Sequence, residues 1–161
     1  KGRINYLQKY TDGARSKENK MYTKSVLLFS LLIENVSLFS QFYTIMSFNK
    51  HKNLFKGISN VIEATSKEEV IHSNFGAHII KIIKSENPDW FDEDFYELIR
   101  SACKKAYIAE AKIINWIFEK GELDFISTEE VKEFIKNRIN QSVKMIDMEI
   151  HIHHFPKPTR D

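Results

Sequence analysis

Glu34 is the only charged residue between Ser25 and Asn49, a stretch in which fifteen of twenty-five residues are apolar. An isolated carboxylate inside a helix bundle costs on the order of several kcal/mol, so it must be protonated, paired with a cation or bound to a metal. The second feature is Glu69-Val70-Ile71-His72. On a helix, positions i and i+3 project from nearly the same face, so carboxylate and imidazole can converge on one ion at about 2.0–2.2 Å from each. Six His and fifteen Glu in 161 residues yield about half of one Glu-x-x-His by chance. Position is what lifts this pair above chance: it falls on the apolar stripe of the helix that follows the one bearing Glu34. Carboxylate-bridged two-metal sites in four-helix bundles use one Glu from each of two helices and a Glu-x-x-His from each of the other two. Glu34, Glu69 and His72 are half of that set, and hard oxygen and imidazole donors suit iron or manganese. The plainer alternatives are a Lys or Arg partner, or a raised pKa for Glu34.

The elements that must position these residues are helical. Ser25 to Asn49 is apolar all round the helical period, which predicts one helix surrounded by protein. Ten polar residues within it argue against a membrane span. His51 to Gly57 is a connection, and a second helix is expected from about Ile58 to Glu86, ended by Asn87-Pro88. Its inward stripe runs through Ile58, Ile62, Thr65, Glu69, His72, Gly76, Ile79 and Ile83. Asp89 or Asp92 can cap a third helix to about Lys120, with Ile99, Cys103, Ala106 and Trp116 inward, before Gly121 stops it. Ser127 and Glu130 form a capping box that opens a fourth helix to about Asp147. Residues 1–20 read as a short helix, a turn and a linker, and 148–161 as a Pro-containing tail.

Composition agrees with an all-α chain: 42% hydrophobic, 29% charged, and only 5 Gly and 3 Pro, too few turn residues for an all-β fold. The 24 basic and 22 acidic residues alternate along the chain, giving no basic stripe for nucleic acid. One cysteine, Cys103, excludes a disulfide framework and a Cys-based zinc site and points to a reducing, cytoplasmic setting. Residues 1–20 do not resemble a signal peptide, since no apolar core follows a basic start, and no membrane partner is expected. His151, His153 and His154 lie in the tail, without a rigid scaffold for a metal.

Three runs carry a family resemblance. They are Leu32-Ile33-Glu34-Asn35-Val36-Ser37-Leu38-Phe39-Ser40-Gln41-Phe42, Asn53-Leu54-Phe55-Lys56-Gly57-Ile58 and Ser66-Lys67-Glu68-Glu69-Val70-Ile71-His72. Together they resemble the C-terminal half of the small, radical-generating subunit of class I ribonucleotide reductase. Segments around Ala109-Glu110, Trp116-Ile117, Gly121-Glu122-Leu123-Asp124 and Asn137-Arg138-Ile139-Asn140 are similar to that family's later helices. The resemblance implies a ferritin-like helical bundle of which residues 1–161 form a single, partial domain, with the chain beginning at Lys1 instead of Met.

Carried over residue by residue, the resemblance makes Glu34, Glu69 and His72 three of six ligands to two Fe or Mn ions. Glu68 takes the place of an Asp that hydrogen-bonds the radical-transfer chain, the longer acid being a departure. Leu38 and Phe42 match the apolar pocket that shields the oxidised cofactor or radical, and Leu38 replaces a Phe found in some members. The family's other ligands and its radical Tyr belong to an N-terminal half absent from these residues, so no Tyr is assigned as catalytic and the segment alone is expected to be inactive. Implied partners are that missing half, a second copy in a homodimer, and the large catalytic subunit that makes deoxyribonucleotides. Two other readings use the same residues differently: another ferritin-like dimetal oxidase or oxygenase, or a non-catalytic helical fragment whose Glu and His pair with neighbours.

Overall fold

The computed structural model describes residues 4, 8, 11–13 and 15–148. The tail expected from 148 onward, with its three His, therefore lies outside the described residues except for Met148, as does most of the N-terminal segment. Among the described residues the architecture is all-α, as the sequence requires. Leu123 and Ile126 make a single antiparallel bridge and no strand.

Helix α1 spans Asn19–Leu28. It runs into a π-helical turn, Phe29–Ile33, with Glu34 at its end. A short turn then leads to α2, Phe39–Lys52. The single helix expected over Ser25 to Asn49 is thus broken, and the break surrounds Glu34. Apolar residues on every face conceal such a break, because a shifted register still places Leu27, Leu28, Leu31, Leu32 and Val36 in the core. Asn53, with φ of 55°, closes α2: its amide returns to the Asn49 carbonyl and the Leu54 amide to that of Phe48. Lys50, His51 and Lys52 in the last turn suit the negative end of the helix dipole.

Helix α3, Lys56–Glu86, is the longest element at 31 residues, and Pro88 ends it by restricting Asn87. Pro88–Trp90 forms one 3₁₀ turn. Helix α4, Glu93–Ile117, begins where the Asp92 carboxylate accepts the Phe95 amide at 2.8 Å. Gly121 follows it with φ of 122°, a conformation that suits glycine alone. Helix α5, Thr128–Lys144, opens on the expected capping box of Ser127 and Glu130.

The core lies where α4 and α5 meet, with α4 against α1 and α5 against the π turn. Phe95, Ile99, Cys103, Ile114, Val131, Ile135, Ile139 and Val143 are all buried there. Cys103 packs as a core residue, and burial pushes its thiol up to about 12. Three inward assignments are corrected. Trp116 stands outward on α4, because Ala111, Ile114 and Phe118 take the core-facing positions around it. On α3 the buried stripe is Ser59, Ile62, Ser73, Gly76, Ala77 and Ile80, so Ile58 and His72 sit at its edge and are exposed. The small residues within that stripe allow close approach to the π turn.

Candidate metal centre

The π turn sets where Glu34 points. Its amides reach five residues back: Glu34 N–H donates to Phe29 O at 3.2 Å and Ser37 N–H to Leu32 O at 3.0 Å. Such turns widen the helix locally and recur at functional sites. Gly76 on α3 permits this one, because a Cβ there would lie 2.0 Å from Ser30 Oγ and 2.3 Å from Ser30 Cβ. The distortion ends at Leu38, whose φ of 75° is the left-handed region. A non-glycine side chain there costs about 1–2 kcal/mol, which the surrounding contacts must hold in place.

Glu69 and His72 come from one face of α3, one turn apart. His72 Nδ1 stands 3.4 Å from Glu34 Oε2 and 3.6 Å from Glu69 Oε2. One donor atom from each of Glu34, Glu69 and His72 lies within 4.8 Å of the others. Ligands at about 2.0–2.2 Å from one ion stand roughly 3–4 Å from each other, so the three donors need only small rotations to share a cation. The two carboxylates are largely covered, whereas His72 remains 62% exposed.

Without a cation the two acids crowd one another. Burial, then the hydrogen bond and charge of Glu69, raise the Glu34 carboxyl to about 7, with His72 pulling the other way. Two carboxylates facing one imidazole form a donor set of hard oxygen and nitrogen atoms, which fits a divalent cation. The residues present thus fit one metal ion approached from this side of the bundle.

The remaining candidates from sequence are spread around this group. Glu68 is exposed on α3 and stands outside the three-residue cluster. Leu38 is 46% exposed at the break. Phe42 is half-buried, meets Phe39 edge-on with ring centroids 5.4 Å apart, and lines a cavity of about 340 Å³ with Tyr43, Met46, Phe134 and Arg138.

Two polar features near the ligand helix escaped the sequence reading. Glu110, 2% exposed on α4, accepts a hydrogen bond from Ser40 Oγ at 3.0 Å and ties α2 to the core. In sequence it entered only within the Ala109-Glu110 segment of the family resemblance. Arg138 on α5 is largely buried against the break, and desolvation lowers its guanidinium to about 10. No spacing rule marks it, and Gly76 was read only as one of the inward positions of its helix.

A helical bundle that gathers two carboxylates and an imidazole from adjacent helices is of the ferritin-like, carboxylate-centred class. The chain belongs to the ribonucleotide reductase small-chain family: the family model described as "Ribonucleotide reductase, small chain" matches residues 1–157. It is 27% identical over 120 residues to the "Probable ribonucleoside-diphosphate reductase small subunit 048L" of Invertebrate iridescent virus 3, covering 74% of this chain and 32% of that protein. It is also 28% identical over 107 residues to the "Ribonucleoside-diphosphate reductase subunit beta" of Chlamydia pneumoniae, covering 66% of this chain and 31% of that one. The matched regions span about a third of the length of these curated relatives. No helix among the described residues is long and apolar enough to cross a membrane.

Proposed function

We propose that this chain supplies half of a dinuclear iron or manganese centre in the small subunit of a cytoplasmic ribonucleoside-diphosphate reductase, with Glu34, Glu69 and His72 as ligands. The observation that carries the reading is the convergence of those three donors within 4.8 Å, in a chain matched to the small-chain family over residues 1–157. The other ligands and the radical Tyr come from a complementary N-terminal half. When bound, the metal pair supplies the oxygen-dependent oxidation that furnishes the radical or oxidant used by a large catalytic subunit to make deoxyribonucleotides.

The chain's own residues prepare the place. Glu34 holds a proton near neutrality, shared towards Glu69, and releases it when a cation takes its position. His72 offers an imidazole nitrogen from the open side, and Glu69 fixes the second carboxylate one turn away. Leu38 and Phe42 are the apolar walls that keep water from the oxidising site once the bundle is complete. Glu68, the neighbouring acid, accepts a hydrogen bond on the transfer path. A homodimer and docking of the large subunit complete the assembly.

The test is metal content and radical yield of the full-length protein loaded with Fe(II) or Mn(II). Glu69→Ala is expected to lose both bound metal and the radical signal. Stoichiometry and radical yield equal to the parent protein would refute the assignment.

A further inference from the structure

We propose that α5 is a template that holds the break around Glu34, with Arg138 and Ser142 as positioning residues for that carboxylate. The proposal rests on the reading of Glu34 as a ligand.

In a regular α-helix the Phe39 amide would donate to the Asn35 carbonyl. Here it donates instead to Val36 O at 3.2 Å, which releases Asn35 O. Arg138 takes up that acceptor: its Nε donates to Asn35 O at 2.6 Å, and its Nη2 donates to Asn35 Oδ1. The guanidinium also lies 3.5 Å from the centroid of the Phe39 ring. A planar fork can meet backbone carbonyl, side-chain amide and ring together, whereas an ammonium is a point charge that cannot.

One turn further along α5, the fully buried Ser142 hydroxyl donates to Leu31 O, which is one turn before Asn35. Two donors four residues apart therefore hold two carbonyls four residues apart, on either side of Glu34. Met145 extends the seam by another turn. Its sulfur accepts from Asn35 Nδ2 at 3.7 Å and from Ser73 Oγ at 3.6 Å. Ser73 is the neighbour of His72, so Met145, the residue just past α5, reaches both elements that carry the donor group.

The alternative to this conformation is a regular helix. If Asn35 O regains the Phe39 amide, the left-handed Leu38 is no longer needed, and each residue of register moved rotates the segment by about 100°. Rotation of that size carries Glu34 away from Glu69 and His72. Arg138 is thus a largely buried cation whose two hydrogen bonds are made to Asn35, one of them to its main chain.

The experiment compares Arg138→Met, Arg138→Lys and Ser142→Ala in the full-length protein, with Ile114→Val in α4 as a control for general loss of stability. Amide hydrogen exchange over residues 29–39 is measured without metal, and Mn(II) affinity by titration. Arg138→Met is expected to raise exchange in that segment tenfold or more and to weaken Mn(II) binding tenfold or more. Arg138→Lys restores neither, Ser142→Ala shows the same pattern to a smaller extent, and the control changes neither. Exchange over 29–39 unchanged in both Arg138→Met and Ser142→Ala overturns the template. Raised exchange with unchanged Mn(II) affinity overturns the positioning of Glu34. If Glu34→Ala also binds Mn(II) like the parent, the ligand reading beneath it has failed instead.

Discussion

The face of α3 that meets the π turn and the face that points away from it are both apolar, but only one is covered. Inward, Ser73, Gly76, Ala77 and Ile80 pack against the π turn and the core beyond it. Outward, Val61, Ile71 and Phe75 each stand about 65% exposed, with Ile82 continuing the row. The candidate metal group lies on the boundary, with Glu34 and Glu69 reached from the covered side and His72 from the open one. Large apolar side chains recurring along one exposed helix face mark an interface. On the function proposed, the complementary half of the bundle covers this row and brings the remaining ligands to the same edge.

Substitutions on the two sides test that contrast. Phe95→Ala, in the closed core between α4 and its neighbours, is expected to cost about 3–5 kcal/mol in urea unfolding. Gly76→Ala places a methyl group against Ser30 and is expected to cost about 1–3 kcal/mol, because α3 must move off the π turn. Such a shift also separates Glu69 and His72 from Glu34, so Mn(II) binding weakens with it. Phe75→Ala, one residue earlier but on the open face, is expected to change the unfolding of the 161-residue chain by less than about 0.5 kcal/mol. The same change in the full-length protein becomes clearly destabilising once the face is covered. Equal effects of Gly76→Ala and Phe75→Ala in the short chain would erase the distinction between the faces.

Much of this was legible in sequence where a residue's role is local. Ser127 with Glu130, Asp92 before Phe95, and Asn87-Pro88 define helix ends through hydrogen bonds and backbone restrictions only a few residues long. Glu69 and His72 were legible because helical spacing alone puts them on one face, and Glu34 because it is the lone charge in an apolar run. The break around Glu34 was not. It depends on Gly76, Arg138 and Ser142, which approach from 42 to 108 residues away in sequence, and an apolar segment with no polar face shows no phase change when its register shifts. The exposure of His72 was equally hidden, since periodicity finds an apolar face without saying whether anything within the chain covers it.

The raised Glu34 carboxyl links the site to pH in a definite sense. Its pKa is about 7 in the fold against an ordinary value of 4.5, so the native state binds more protons between those values. The stabilisation it contributes to the metal-free protein is complete below about pH 4.5 and is lost as pH rises through 7. Glu34→Gln, which is neutral throughout, removes that slope from the pH dependence of unfolding. Metal binding runs in the opposite direction, because the cation needs the ionised acid.

Titration of Mn(II) into the metal-free full-length protein across this pH range, beside Glu34→Gln, therefore tests the central claim most directly. The account predicts affinity that rises with pH through about 7, proton release on binding, and loss of both in the variant. Mn(II) binding that is independent of pH and unchanged by Glu34→Gln would contradict it.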